Sequence, residues 1–356
     1  MDLLAATTDQ LRDAAVAHFK VAKGAGVAAA IHRSATRDGA FDPQALGLGE
    51  AACAGWRALA QLQLPRTVDE VVEPVAGGEV RKRLLRLHDG LTVESVHLPM
   101  GRGRSSLCVS TQAGCARACT FCETGRMGLR RNLTAGEIVG QVTVQHRVQR
   151  PDTIVFQGMG EPLDNLEHLL QAMAVLTDRA GLGYAHDRLT VCTVGHVPGI
   201  AALRQLGQKR LNLSLSLNAA DDRQRAAIMP NSVRYALAEI QQALRDFRQR
   251  ANLALGIHWC LLPGINDTPA DADRIAAFCA PLGRLLLHVI PYNPGSAPIT
   301  RAPDEHEVVR FVGWLRDRGV PVRRRITKGR TVMAGCGQLG AAGTQLGAAA
   351  TSSRCP

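Results

Sequence analysis

The chain has 356 residues, with 42 Lys and Arg against 31 Asp and Glu, which gives a formal net charge of +11. Hydrophobic residues make up 46% and charged residues 21% of the sequence, so a disordered chain is excluded. No apolar run reaches the ~18 residues of a membrane span, and the acidic N-terminus lacks the basic start of a secretory signal. We therefore expect a soluble, cytoplasmic protein without a membrane partner. The basic excess favours a polyanionic partner such as a nucleic acid.

Composition changes along the chain predict four segments. Residues 1–78 predict an accessory module of short helices, because apolar side chains recur there at helical spacing. Residues 79–100 alternate apolar and polar side chains around Asp89-Gly90, which predicts a β-hairpin with strands 81–88 and 91–98. Residues 101–339 predict the main α/β domain. Residues 340–356 are rich in Gly, Ala, Ser and Thr and predict a flexible tail.

The main domain alternates strand-like and helix-like segments. The predicted strands are 106–111, 152–157, 188–193, 211–217, 254–261, 285–290 and 321–326. The predicted helices are 134–149, 165–180, 198–207, 232–250, 269–280 and 304–318, and Thr134 with Glu137 predicts a capping box. This alternation builds parallel βαβ units, so we expect a partial (β/α)6 barrel. Its active site would lie at the C-terminal ends of the strands.

Three cysteines, Cys115, Cys119 and Cys122, lie within eight residues directly after the first barrel strand. Without an export signal we do not expect a disulfide framework, and clustered thiolates favour a soft metal, either zinc or iron–sulfur. Structural zinc normally takes four ligands, whereas three ligands on a four-iron cluster leave one iron open for a small molecule. The alternatives are three buried thiols, or a zinc site completed by Cys108.

The Cys-x-x-x-Cys-x-x-Cys spacing resembles the cluster motif of radical S-adenosylmethionine (SAM) enzymes. Further motifs, in the same order along the chain, resemble the RlmN/Cfr family of radical SAM RNA adenosine methyltransferases. They occupy residues 107–115, 128–134, 158–162, 291–294 and 334–339. The resemblance extends from residue 94 to residue 339, about two-thirds of the chain, and five ordered motifs are hard to obtain by chance.

The resemblance implies an enzyme with two cofactors, a [4Fe-4S] cluster and SAM. Cys115, Cys119 and Cys122 would bind the cluster, and its open iron would bind SAM. The implied activity is methylation of an adenosine carbon, C2 in preference to C8, in 23S ribosomal RNA or, as a second choice, transfer RNA. An electron-poor ring carbon is a weak nucleophile, which is why radical chemistry suits this reaction. The implied electron donor is a protein such as flavodoxin, and we expect a monomer.

The resemblance also implies roles for single residues. Cys336 would accept a methyl group from one SAM to form S-methylcysteine, and a radical from a second SAM would remove hydrogen from that methyl. Cys108 would resolve the adduct between protein and RNA, with a transient Cys108–Cys336 disulfide. Glu94 would accept a proton, and strand alternation places it on the same strand face as apolar neighbours. The implied SAM contacts are Gly160, Glu161, Cys192, Ser216, Leu217, Asn218 and Asn293.

Three positions depart from the family's pattern: Cys192 stands where Ser is common, Asn218 where His is common, and Glu123 replaces a small residue. The N-terminal module also matches the family's usual RNA-binding extension poorly. Nine basic residues predict a phosphate-binding surface around the site. They are Arg81, Lys82, Arg83, Arg86, Arg102, Arg104, Arg126, Arg130 and Arg131. Two alternatives stay open: a radical SAM methylase of another substrate, and a non-catalytic, zinc-stabilised RNA-binding protein.

Overall fold

The computed structural model describes residues 1–20, 26–232, 234–247 and 253–340. The predicted tail, beyond residue 340, and the end of the predicted helix 232–250 lie outside the described residues. The N-terminal region holds three helices, α1 (Thr8–Phe19), α2 (Ala28–Arg33) and α3 (Glu50–Leu59), as the sequence predicts. Their buried side chains, among them Leu11, Ile31 and Trp56, belong to the same core cluster as the barrel. The division of the chain into domains stays a prediction.

Four antiparallel strands lead into the barrel. They are β1 (Arg66–Val75), β2 (Gly78–Arg86), β3 (Thr92–Gly101) and β4 (Arg104–Val109). The predicted hairpin is confirmed as the β2–β3 pair, in which Arg86 lies opposite Thr92. The strand β1 lies in the segment that we expected to be helical, so that part of the expectation is wrong. Acidic residues interrupt the apolar alternation of β1, so its sequence does not resemble a strand. One of them, Glu70, is accommodated because it forms ion pairs with Arg81 and Arg83 on β2.

Seven parallel strands form the barrel wall. The first is β4, and the others are β7 (Thr153–Phe156), β8 (Leu189–Thr193), β9 (Asn212–Ser216), β10 (Leu255–Leu261), β11 (Leu285–Pro291) and β12 (Val322–Arg324). They lie side by side in the order β4, β7, β8, β9, β10, β11 and β12. A separate small hairpin, β5 (Gln112–Gly114) with β6 (Leu129–Asn132), encloses the cysteine loop. The predicted partial α/β barrel is therefore confirmed.

The helices of the barrel follow the strands closely in the order that the sequence predicts. They are α4 (Glu123–Arg126), α5 (Ala135–His146), α6 (Leu166–Thr177), α7 (Val197–Gln205), α8 (Asp222–Ile228), α9 (Leu237–Phe247), α10 (Pro269–Cys279) and α11 (Glu305–Asp317). The short helices α4 and α8 were not predicted, and the helix expected from residue 232 begins at Leu237. Among the described residues, no helix is long and apolar enough to cross a membrane.

Alternation along each barrel strand separates the apolar core from the lumen. On β4, Leu107 and Val109 are fully buried in the core, whereas Ser106 and Cys108 line an internal cavity. The other strands repeat this pattern, since successive side chains of a strand point to opposite faces. Side chains that face the lumen are therefore available for chemistry without loss of the apolar core.

The segment from residue 325 to residue 340 crosses back over the antiparallel strands. Lys328 Nζ donates to the carbonyl of Pro99 at 2.5 Å, and Lys82 Nζ donates to the carbonyl of Met333 at 3.2 Å. The Gly329 N–H also donates to the Glu73 carboxylate at 3.3 Å. These bonds hold the C-terminal motif against the barrel.

The predicted capping box of α5 is present and gives a stability test. Thr134 Oγ1 accepts from the Glu137 N–H at 3.2 Å, and the Glu137 carboxylate accepts from the Thr134 N–H at 2.9 Å. We expect Thr134→Ala to lower the free energy of unfolding by about 1 kcal/mol. Thr134→Ser should lower it much less, because serine also provides a hydroxyl that caps the helix. Urea denaturation measures both variants, and an unchanged midpoint for Thr134→Ala would contradict the cap's contribution.

Candidate active site

A cavity of about 400 Å³ occupies the barrel and gathers most of the predicted site. Ten of the thirteen predicted residues line it. They are Cys108, Cys115, Cys119, Cys122, Gly160, Glu161, Cys192, Ser216, Asn218 and Cys336. These residues come from segments up to 228 positions apart in the sequence, since the first is 108 and the last is 336. The fold therefore brings the predicted cluster ligands, cofactor contacts and reactive cysteines to one place.

The cysteine loop is held in shape by its own backbone. The Cys115 N–H donates to the carbonyl of Gly128 at 3.1 Å, and a side chain at Gly114 would meet that carbonyl oxygen at 1.9 Å. The Cys122 N–H donates to the carbonyl of Cys119 at 3.1 Å, which closes the turn between the second and third thiols. The three thiols consequently share one wall of the cavity.

Burial makes these thiols weaker acids than ordinary cysteine thiols. It raises the pKa of Cys115 to about 12, and it raises the pKa of Cys119 and of Cys122. The neighbouring cysteines raise the pKa of Cys119 further, because thiolates so close together repel each other. A bound metal centre removes this penalty, since it supplies the positive charge that the thiolates need.

The number of clustered cysteines bears on the two metal hypotheses. A structural zinc ion normally takes four protein ligands, with sulfur at about 2.3 Å. In a four-iron cluster each cysteine binds a different iron, so three cysteines hold the cluster and leave one iron open. The cysteine loop brings three thiols, Cys115, Cys119 and Cys122, to the cavity, and this number fits the cluster.

Glu161 is a buried carboxylate with a full set of donors. It accepts from Thr193 Oγ1 at 2.6 Å, from the Val194 N–H at 2.9 Å and from the Leu163 N–H at 3.2 Å. Burial raises the pKa of Glu161 to about 7. The preceding Gly160 has a φ of +98°, and a Cβ there would lie 2.5 Å from the Gln112 side chain. Glycine at this position lets the loop pass close to the cysteine-loop hairpin.

The remaining strand ends complete the cavity wall. Asn218 has a φ of +55° and accepts from the Cys260 N–H at 2.9 Å through its side-chain oxygen. The Cys192 thiol donates to Gln157 Oε1 at 3.5 Å, and Gln157 Nε2 lies 3.3 Å from His258 Nδ1. We missed Gln157 and His258, although both come from predicted barrel strands. The signal that could have identified them is strand alternation, which places both side chains on the face opposite the apolar core.

Three predicted residues lie at the edge of the site rather than on the cavity wall. Leu217 is buried, and its N–H donates to the carbonyl of His258 at 3.0 Å. Asn293 is buried, and its Oδ1 has no hydrogen-bond partner within the described ranges. Such an unpaired buried acceptor is suited to a ligand donor. Glu94 forms a buried ion pair with Lys82 at 3.1 Å and accepts from the Gly340 N–H at 2.8 Å.

Cys336 is an exposed thiol on a loop that is bonded to the rest of the site. Asn293 Nδ2 donates to the carbonyl of Cys336 at 3.3 Å, and the Glu123 N–H donates to the carbonyl of Gly337 at 2.8 Å. Burial raises the pKa of Cys108, and the nearby Cys336 raises it further. All nine cysteines of the described part of the chain are free. The two predicted reactive thiols therefore line the same cavity, and no disulfide joins them in this structure.

The predicted phosphate-binding surface needs correction. Five of its nine members are engaged in ion pairs with carboxylates: Arg81, Lys82, Arg83, Arg126 and Arg131. Lys82 and Arg83 are also buried. The sequence could not show this, because most of the acidic partners lie on other elements. Four members are exposed and form no ion pair within the described residues: Arg86, Arg102, Arg104 and Arg130.

Comparison with known proteins identifies the superfamily of the chain. Residues 109–279 match the radical SAM superfamily. A crystal structure of a radical SAM methyltransferase from Sphaerobacter thermophilus superposes with a TM-score of 0.85 and 32% identity, covering 96% of this chain and 99% of that one. The fold and the cysteine motif thus define a radical SAM enzyme, whose cofactors are a [4Fe-4S] cluster and SAM.

Curated relatives define the family more narrowly. A dual-specificity RNA methyltransferase RlmN of Syntrophotalea carbinolica is 40% identical over 278 residues, 78% of this chain and 74% of that protein. A probable RNA methyltransferase of Sorangium cellulosum is 41% identical over 303 residues, 83% of this chain and 74% of that protein. The chain belongs to the RlmN family of radical SAM methyltransferases.

The shifted pKa of Glu161 predicts how the stability of the metal-free protein depends on pH. Its folded-state value of about 7 exceeds the ordinary 4.5, so the folded state keeps a proton that the unfolded state releases. The free energy of unfolding should therefore fall as the pH rises from 4.5 through 7, by about 3 kcal/mol for this group. Glu161→Gln removes the titration. Urea denaturation of both proteins across this range should show a steeper fall for the wild type, and equal slopes would refute the prediction.

Proposed function

We propose that the protein is an RNA methyltransferase that acts on an adenosine carbon, with C2 of 23S ribosomal RNA as the first target. The observation that carries this proposal is the shared cavity, which combines the three cluster cysteines with Cys108 and Cys336. The family membership supports RNA as the substrate, since the curated relatives are named RNA methyltransferases. A ring carbon of adenine is a weak nucleophile, so the reaction needs a route other than direct attack on SAM.

The chain's own residues would provide that route. When bound, the cluster and SAM supply a methyl group and a radical that can remove a hydrogen atom. Cys336 would accept the methyl group on Sγ, and its exposed position on a loop bonded to Asn293 suits transfer between cofactor and substrate. This is covalent catalysis, in which one difficult transfer is divided into easier steps.

Cys108 would complete the cycle. It lies on β4 at the lumen face and is near enough to Cys336 for the charge of one to affect the pKa of the other. After the methyl carbon has joined the adenine ring as a radical, the adduct would have to give up one electron, which the bound cluster could accept, and the Cys108 thiolate would remove the proton from that ring carbon. Once Cys108 has passed this proton on, its thiolate would attack Cys336 Sγ. The bond between the carbon and Cys336 Sγ would break with its electron pair going to the carbon, which takes up a proton and becomes the methyl group, and the resulting Cys108–Cys336 disulfide must be reduced for the next turnover.

Several positions would hold SAM in this scheme. Glu161 offers a carboxylate at the cavity wall for the SAM ammonium group, and the unpaired Asn293 Oδ1 offers a further acceptor. Glu94 would act as a proton acceptor, although it must first exchange its bonds to Lys82 and Gly340. The remaining proposed contacts are Gly160, Cys192, Ser216, Leu217 and Asn218.

RNA and an electron donor would be the partners of the enzyme. Four exposed arginines are free to contact the phosphates of an RNA: Arg86, Arg102, Arg104 and Arg130. Such contacts hold the RNA but do not read its sequence. A small electron-transfer protein such as flavodoxin would reduce the cluster. We propose that the protein acts as a monomer.

We expect Cys336→Ala to abolish RNA methylation, because the methyl acceptor is lost, and to retain iron content and SAM cleavage. The test uses anaerobically reconstituted protein with ribosomal or transfer RNA, and mass spectrometry of the digested RNA identifies the modified carbon. Cys53→Ala is the matched control, since Cys53 lies on α3 away from the cavity. Full methylation by Cys336→Ala, or no methylated adenosine with the wild type on any RNA, would overturn the proposal.

We expect Cys108→Ala to accumulate RNA covalently bound to the protein, because the adduct forms but is not resolved. Denaturing electrophoresis with labelled RNA would show a slow band that nuclease removes. The double variant with Cys336→Ala should lose this band, since it lacks the attachment point. A Cys108→Ala protein that turns over freely without the band would contradict the assigned role.

A further inference from the structure

Glu123 is a buried carboxylate that the proposed reaction does not use. It directly follows the last cluster cysteine and is only 5% exposed. Its side chain accepts from the Ser296 N–H at 2.9 Å and from Ser296 Oγ at 2.6 Å, and it pairs with Arg126 at 2.8 Å. A buried charge is costly unless hydrogen bonds and a counter-charge compensate it. This carboxylate has both, and its Ser296 partner is 173 residues away in the sequence.

The opposite side of this contact is shaped to receive the carboxylate. A Cβ at Gly295 would lie 1.9 Å from Glu123 Oε1, so any larger residue at position 295 would displace the carboxylate. Gly295 does not have a positive φ, so the obstacle to alanine at this position is the Glu123 side chain and not the backbone conformation. The Glu123 side chain therefore occupies the space that a side chain at position 295 would need.

Glu123 also joins the three loops that meet at the site. Its N–H donates to the carbonyl of Gly337, next to Cys336, while its carboxylate holds Ser296, three residues after Asn293. Asn293 in turn donates to the carbonyl of Cys336 at 3.3 Å. The residue after the cysteine motif is thus bonded to the Cys336 loop through its backbone, and to the Asn293 loop through its side chain.

We propose that Glu123 is a positioning residue, whose carboxylate fixes the loop of Asn293 and Ser296 against the cysteine loop. Through this contact it sets where Asn293 and Cys336 stand relative to the cluster-binding wall. The functional part of this inference rests on the proposed roles of Asn293 and Cys336, but the contact itself does not. Charged hydrogen bonds of this kind are stronger than neutral ones, which suits a contact that fixes an exposed loop.

The first test measures the loop without the metal centre. In metal-free protein, Glu123→Ala should speed hydrogen exchange of the Ser296 amide by about tenfold, because its charged acceptor is lost. Glu123→Gln should restore part of the protection, since its amide oxygen still accepts. Glu167→Gln is the matched control, because Glu167 is an exposed carboxylate on α6. Unchanged exchange in Glu123→Ala would overturn the inference.

The second test uses the fit between the two positions. Gly295→Ala should raise both the exchange rate of the Ser296 amide and the KM for SAM, with iron content unchanged. Adding Glu123→Ala should bring the KM back towards that of Glu123→Ala alone, because the clash disappears. A general structural defect would instead make the double variant worse than either single one. That result, or a wild-type KM for Gly295→Ala, would refute the positioning role.

The two tests separate this inference from the proposed function. If the wild type methylates no RNA while the exchange rates change as expected, the proposed function fails and the contact between the loops stands. If methylation is normal and Ser296 exchange does not respond to Glu123→Ala, the positioning role fails by itself.

Discussion

Desolvation of the three cysteine thiols is the constraint on which the rest of the site depends. Burial holds the pKa of Cys115, Cys119 and Cys122 above its ordinary value, so these thiols ionise only with a compensating positive charge. The loop that presents them is fixed by backbone bonds, such as that from Cys115 to Gly128. A site of this kind is selective for a metal centre that takes several thiolates at once. The other polar groups of the cavity must then accommodate the charge that arrives with it.

Those polar groups fall into two sets according to their hydrogen bonds. Glu161 and Glu123 are buried carboxylates with several donors each, so their positions are determined by the protein alone. Asn293 Oδ1 is buried and unpaired among the described residues, and Cys336 is exposed on its loop. A buried polar group without a partner destabilises the folded protein, and a ligand that supplies the missing hydrogen bond removes this cost. The carboxylates therefore have fixed positions, and Glu161 is among them as the proposed acceptor for the SAM ammonium group. Asn293 Oδ1 differs, because the protein leaves its hydrogen bond unmade and a bound ligand could make it.

The sequence predicted the barrel well because its strands and helices obey local rules. Buried parallel strands are short apolar runs, and the α5 capping box lies within four residues, Thr134 to Glu137. The strand β1 was missed because its acidic residues interrupt the alternation of apolar and polar side chains. Their place in a strand is understood only from the ion pairs that join β1 to β2. The phosphate-binding surface was overestimated for the same reason, since the carboxylate that neutralises Arg83 lies on another strand. Long-range ion pairs leave no local pattern, so the sequence alone could not reveal them.

Three residues that the sequence analysis singled out as unusual, Asn218, Cys192 and Glu123, each have a bonded or closely packed neighbour. Asn218 has a positive φ, which asparagine adopts more readily than most residues, and its side chain bonds the backbone of Cys260 on β10. Cys192 bonds Gln157, and Glu123 fits against Gly295. Each of the three residues is thus matched by a neighbour within the protein. The lumen therefore presents a thiol and an amide at Cys192 and Asn218, beside the wall that carries the three clustered cysteines. These contacts are made by the chain itself, so they hold both side chains in place before any cofactor binds.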